Sequence, residues 1–477
     1  GEPLWVDVPG TDPRSYYLPR MEWVGAGKLL VQQMNRAQQE TDLWLADSST
    51  GTVERFLRDE DEAWLDIVDE WRWLEEGEQL LWVSERDGWR HLWAVERGVE
   101  TWRLLTPGDF DIVSVEGLDD DKVFFIASPD DATRRYLYAA RLDGKGAPAR
   151  LTPPALPGTH AYDISPDGRH AFHTFSSRQQ PPVVSLVRLP SHETVRVLED
   201  NAALRKKVAP LLDPPTEFFR VDIGEGVVLD GWMVRPRDFD PSKRYPLLMF
   251  VYGEPAGARV VDAWPRREGR MLFHRAVANA GYVVACVDNR GTPAPKGREW
   301  RKQVYGAVGV LATEDQTAAV RKLLAERPWL DPERVASWGW SGGGSMTLNL
   351  LFRSPDVYKV GMSVAPVPDQ TLYDTVYQER YMGLPEENPE GYREGSPITF
   401  AEGLAGDLLI VHGTGDDNVH IQGTERLVNR LIELGKPFDY MAYPNRTHGI
   451  SEGEGTSLHL YSLLARHLRD HLPAGPR

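Results

Sequence analysis

Two rhythms of hydrophobic and polar positions divide the chain. From Gly1 to about Leu198 apolar residues come in short alternating runs broken by turn dipeptides, and Asp87-Gly88, Asp143-Gly144 and Asp167-Gly168 sit where hairpins would close. Alternation with period two puts every second side chain on one face, so this stretch predicts many short antiparallel strands. After a proline-bearing connector around 208–215 (VAPLLDPP) the alternation stops. Continuous apolar runs appear at 246–252, 282–287, 335–338, 360–364 and 408–411. Such runs suit strands covered on both faces of a parallel sheet. Helices are predicted between and after them, over 313–325, 423–434 and 456–471, which gives an α/β layer with a doubly wound, mostly parallel sheet.

A weak repeat underlies the first rhythm. Leu43-Trp44, Leu92-Trp93, Leu137-Tyr138 and Leu186-Val187 are spaced by 49, 45 and 49 positions. Each pair is followed, after a polar turn, by a second short strand, at 53–56, 102–106, 149–152 and 195–198. A period of roughly 40–50 residues with several strands per unit is the mark of β-propeller blades. Four repeats predict four blades, as a small ring or part of a larger one, and a β-sandwich with accidental spacing is the alternative. The reading is therefore a partial propeller over residues 1–200 and an α/β domain over 201–477.

Composition narrows the partners. With 477 residues the chain exceeds what one core sustains. Sixteen tryptophans and seventeen tyrosines agree with strand-rich architecture. The net charge of −17, with no basic stripe, repels nucleic acid and anionic membrane surfaces. A lone cysteine, Cys286, excludes an intrachain disulfide, and no run approaches the length of a membrane span. Opening on Gly1, with neither a basic nor an apolar leader segment, the chain reads as processed or truncated.

The chemistry gathers in the second half. Gly339-Trp340-Ser341-Gly342-Gly343 fits G-x-S-x-G between a predicted strand and a helix predicted over 346–352. A strand–turn–helix of this kind strains the central residue and exposes its side chain, and the glycines make room for it. A serine hydroxyl needs a base, and the base needs a carboxylate to fix its tautomer. Downstream, a strand runs into His412-Gly413-Thr414-Gly415-Asp416-Asp417-Asn418-Val419, and another leads to Arg446-Thr447-His448-Gly449. Asp416 and His448 then follow Ser341 in the order an α/β-hydrolase uses. On spacing alone Asp417 equals Asp416, while His412 and His420 compete with His448; His412 abuts a buried strand, where a structural histidine is commoner. The backbone N–H of Gly342 and the hydroxyl of Tyr252, just past a strand, are candidate donors to a developing oxyanion.

These residues resemble the dipeptidyl peptidase IV branch of the prolyl oligopeptidase family. The likeness rests on GWSGGG around Ser341, HGTGDDNVH from His412 to His420, RTHGI from Arg446, VYGEP from Val251, VYQERYMGLP from Val376 and LWVSERDGWRHLW from Leu81. It implies an α/β-hydrolase domain gated by a propeller. The implied activity is that of a serine exopeptidase releasing N-terminal dipeptides of Xaa-Pro or Xaa-Ala type. By matching positions it assigns Ser341, Asp416 and His448 as the triad, favouring Asp416 over Asp417, with Tyr252 in the oxyanion hole. It lines the pocket for the penultimate residue with Val367, Tyr373, Tyr377 and Val419, and sets Asn418 against the preceding carbonyl.

Two departures concern the pocket. Gly342 stands where the family usually has tyrosine, and Gln370 where it commonly has a rim tryptophan, so a wider pocket and weaker stacking on proline are expected. The paired glutamates that hold the substrate's amino terminus in this family would precede Gly1; Glu75-Glu76 and Glu386-Glu387 read as solvated surface. A separate N-terminal fragment of the same precursor is expected to complete the propeller, and the resemblance also implies a peptide substrate and a homodimer. Neither a metal nor an organic cofactor is expected, since no Cys/His cluster or phosphate loop is present. Family analogy favours a soluble periplasmic or secreted protein. Alternatives on the same scaffold are an acylaminoacyl peptidase or oligopeptidase, and a catalytically dead propeller that binds a partner.

Overall fold

The computed structural model describes residues 3–10, 12, 14–25, 27–74, 77–99, 101–265 and 268–477. Four consecutive four-stranded antiparallel sheets come first. They are β1 (Tyr16–Val24), β2 (Lys28–Asn35), β3 (Glu40–Asp47) and β4 (Val53–Glu60); β5 (Arg72–Leu74), β6 (Gln79–Ser84), β7 (His91–Glu96) and β8 (Trp102–Leu104); β9 (Ile112–Leu118), β10 (Lys122–Ala127), β11 (Tyr136–Arg141) and β12 (Ala149–Arg150); and β13 (Thr159–Ile164), β14 (His170–Ser177), β15 (Gln180–Arg188) and β16 (Glu193–Glu199). The four repeated leucines, Leu43, Leu92, Leu137 and Leu186, each fall on the third strand of a sheet. That is why the period is visible. Three of them, Leu43, Leu92 and Leu137, are fully buried where neighbouring sheets face one another. Gly88, Gly144 and Gly168 close their turns with positive φ, which an L-residue rarely adopts. On β1, by contrast, Leu18, Met21 and Trp23 stay exposed.

After a short helix (Ala202–Val208) the chain enters an eight-stranded sheet ordered β17-β18-β20-β19-β21-β22-β23-β24. Its strands are β17 (Glu217–Asp222), β18 (Val228–Val234), β19 (Tyr245–Phe250), β20 (Val283–Val287), β21 (Leu330–Trp340), β22 (Val360–Val364), β23 (Asp407–Gly413) and β24 (Asp439–Tyr443). β17 pairs antiparallel with β18, and β18 with β20; every later pairing is parallel. Two apolar layers cover the sheet's faces. One includes Leu247, Met249 and Leu351, the other Leu248, Trp338 and Leu464. Such double cover explains the unbroken apolar runs of the sequence.

A largely buried ionic cluster joins the two halves. Arg298, Arg301 and Lys302, on the helix Gly297–Lys302, meet Asp61, Glu85 and Asp111 from loops of the first three sheets. Lys302 Nζ lies 2.7 Å from both Asp61 and Glu85, and Arg301 bonds both Glu85 and Asp111. Beside it, Trp64 of the first half packs on Tyr381 and Tyr305 of the second. The propeller loops are thereby held against the C-terminal ends of the parallel strands, where open α/β sheets keep their sites.

Candidate active site

β21 ends at Trp340, and a helix begins at once with Gly342 and runs to Arg353. The helix therefore starts four residues earlier than the sequence pattern predicts, because three glycines with poor helix propensity lie where only a bare backbone fits. A side chain on Gly339 would lie 2.2 Å from Gly343 O, and one on Gly343 2.3 Å from Val251 O. Ser341, between strand and helix, has φ 62° and ψ −125°, a strained conformation for a residue with a Cβ. It is fixed there by its N–H donating to Val364 O at 2.9 Å.

His448 follows β24 and donates through Nδ1 to Asp416 Oδ2 at 2.8 Å. Asp416, just past β23, is buried, and its Oδ1 accepts the N–H groups of Asn418 and Val419. Burial pushes its carboxyl up, but hydrogen bonds from His412 and His448 outweigh that and hold it well below the usual carboxylate range. His412 is a fully buried structural partner: Nε2 lies 3.2 Å from Asp416 Oδ2 and 2.8 Å from Val419 O, and Nδ1 reaches Thr424 Oγ1. Asp417 and His420 are exposed, the latter at the start of the helix Ile421–Glu433.

A cavity of about 710 Å³ is lined by Ser341, Gly342, His448, Tyr252, Val367, Tyr373, Tyr377 and Asn418. Tyr252 is half-buried, and burial, then the nearby Glu254, push its phenol up to about 12, so it stays a protonated donor at neutral pH. Gly342 opens its helix, so its N–H has no intrahelical acceptor. Tyr373 donates to Asn418 Oδ1 at 2.9 Å and packs edge-on against Tyr377. Val419 is buried outside the cavity lining; what it contributes is backbone, to Asp416 and His412.

Both expectations of a widened pocket need correction. Gln370 is not on the rim: it is buried beside Ser396, Gly395 and Gln378, bonded to all three. The space beside Gly342 is filled by the carboxyl of Glu254, a residue that pattern reasoning passed over inside VYGEP. A charged residue in the loop that follows a buried strand was the available signal. Arg259, also missed, lays its guanidinium over the Tyr252 ring at 3.9 Å, and Trp340 donates to His448 O. Glu386 and Glu387 are exposed, whereas Glu75 and Glu76 lie outside the described residues. No described helix is long and apolar enough to cross a membrane.

Residues 272–474 match the prolyl oligopeptidase family, and residues 1–182 match the dipeptidyl peptidase IV N-terminal region. A solved structure of Porphyromonas gingivalis dipeptidyl peptidase 4 superposes with a TM-score of 0.90 at 35% identity, over 96% of this chain and 64% of that one. Among curated proteins, "Probable dipeptidyl-aminopeptidase B" of Emericella nidulans is 32% identical over 94% of this chain and 51% of its own length. A protein of the same description from Aspergillus oryzae is also 32% identical, over 93% and 51%. The chain thus spans about half the length of these curated relatives. With most of the propeller sheets matching one model and the part of the hydrolase sheet from β20 to β24 the other, the chain belongs to the dipeptidyl peptidase IV branch of the prolyl oligopeptidase family.

Proposed function

We propose that this chain carries the catalytic centre of a serine exopeptidase that releases dipeptides from free amino termini, with proline or alanine accepted as the second residue. Ser341 Oγ attacks the scissile carbonyl and passes its proton to His448 Nε2, and the imidazolium that forms is stabilised by Asp416 at Nδ1. The tetrahedral oxyanion takes hydrogen bonds from Gly342 N–H and the Tyr252 hydroxyl. His448 then protonates the leaving amine, and water hydrolyses the acyl-enzyme by the same steps in reverse. Val367, Tyr373 and Tyr377 form the wall for the second residue, and Asn418 meets the carbonyl before it.

The observation that carries this reading is the 2.8 Å Asp416–His448 bond, with the imidazole and Ser341 in one cavity. Its test is a panel of fluorogenic Gly-Pro and Ala-Ala amides with free and acetylated amino ends, beside labelling by a fluorophosphonate. Free substrates are cleaved at least tenfold better than blocked ones, and labelling disappears in Ser341→Ala. Equal cleavage of blocked substrates would replace the dipeptidyl reading by an acylaminoacyl or oligopeptidase one.

A further inference from the structure

Gly342 leaves room beside the nucleophile, and a carboxyl occupies it. A Cβ built on Gly342 would lie 2.5 Å from Glu254 Cδ and 2.8 Å from its Oε2. Glu254 is only 7% exposed, yet it lines the same cavity as Ser341 and His448. Oε2 accepts the Tyr377 hydroxyl at 2.8 Å, and among the described residues Oε1 accepts no hydrogen bond. No basic side chain of the described residues pairs with it either; Arg259, the nearest in sequence, is engaged on the Tyr252 ring.

A carboxylate offers about four lone-pair sites, and one taken out of water with a single donor is short of partners. Burial pushes this one up to about 7, against the pull of the Tyr377 hydrogen bond. A ligand that brings a cation to Oε1 would relieve the deficit. The wall leading to it suits the stem of such a ligand, because Val367, Tyr373 and Tyr377 present apolar and aromatic surface that a methylene chain can cover. Proline brings no side-chain donor and would set its ring against the carboxyl.

We propose that Glu254 makes this pocket prefer a cationic second residue, lysine or arginine, over proline. The proposal rests on the dipeptidyl reading of the site and names the side chain that site selects.

The decisive comparison is lysine against norleucine, which share the stem and differ in the ammonium. For Gly-Lys, Gly-norleucine and Gly-Pro fluorogenic amides at pH 8, kcat/KM for lysine exceeds that for norleucine and for proline at least tenfold. In Glu254→Gln, close to Glu254 in shape, the lysine-to-norleucine ratio falls to within threefold of one. Glu254→Asp, which keeps the charge, retains part of the preference. The same ratio is read from inactivation rates of lysyl and norleucyl diphenyl phosphonates, acetylated or carrying an N-terminal glycine, which report on the pocket even if the amino end is not recognised. A wild-type ratio near one, or a ratio unchanged in Glu254→Gln, overturns the proposal. Cleavage of acetylated substrates with the ratio intact overturns only the dipeptidyl reading.

Discussion

Arg301→Met tests whether the ionic cluster holds the two halves together. Three acids (Asp61, Glu85, Asp111) face three bases (Arg298, Arg301, Lys302), so the cluster is neutral, and removing Arg301 leaves it one negative charge in excess. Asp111 is buried and the Glu85 side chain nearly so; burial raises Glu85, but the nearby Arg301 and Lys302 bring it below its ordinary range. Breaking a buried pair from one side costs about 3–5 kcal/mol, because the charge left behind is no longer compensated. Here the loss belongs at the lower end, about 3 kcal/mol, since Glu85 keeps Lys302 at 2.7 Å and Asp111 still accepts the N–H groups of Arg90 and Gly297. At about 2–4 °C per kcal/mol for a cooperative unit of 150–250 residues, the melting temperature should fall by roughly 6–12 °C. Circular dichroism melting and the temperature at which fluorophosphonate labelling is lost read this out together. Arg301→Met combined with Asp111→Asn restores neutrality, but the Arg90 and Gly297 N–H groups go to different oxygens of Asp111 and the amide oxygen can accept only one of them, so the double variant should recover only part of the fall. A single variant melting within about 2 °C of wild type would refute the reasoning, because the cluster would then be worth no more than an exposed ion pair.

Asp416→Asn should lower kcat about 10³–10⁴-fold with little change in KM, since the amide can neither stabilise the imidazolium nor hold the tautomer; steady-state kinetics on a Gly-Pro amide measures it. Ser341→Gly should be more stable than Ser341→Ala by about 1 kcal/mol in urea unfolding, because φ 62° suits glycine and strains alanine, and both should be unlabelled. In the fourth sheet, burial lowers His160 to about 4 and His173 to about 3, and the two rings share a 2.8 Å hydrogen bond. Both fold neutral, so the unfolded chain takes up their protons first: their stabilisation is complete above pH 6.5 and drains away as pH falls toward 4 and then 3. At about 1.4 kcal/mol per pH unit for each histidine, they account for on the order of 4 kcal/mol between pH 6.5 and 5. In His173→Phe the pair's share of the difference between urea midpoints at those two pH values should shrink by about half, and an unchanged difference would refute the assignment.

The fold was legible where side-chain period reflects burial. Apolar runs marked β19 to β23 because both faces of that sheet are covered, and the leucine period marked the blades because the same strand recurs in the same place. The antiparallel pair β17 and β18 escaped notice, since β17 is largely uncovered and shows no run. At the candidate site, strand ends pointed to Ser341 and to the loops that carry Asp416 and His448, whereas the choice of Asp416 over Asp417 came from the family resemblance. Glu254 did not, because its meaning lies in a gap left by Gly342, 88 positions away, which no local pattern records. Gln370 misled for the same reason: a residue can keep its place in an alignment of motifs and still turn its side chain into the interior.

Asp416 serves two imidazoles, one buried and one at the cavity wall, while backbone amides clamp its other oxygen. The interior ring and those amides keep the acid aimed whether or not the outer ring is present. Were the segment around His448 displaced, the acceptor would keep its orientation. Restoring the Asp416–His448 bond would then ask for the return of a single loop, not the simultaneous ordering of two.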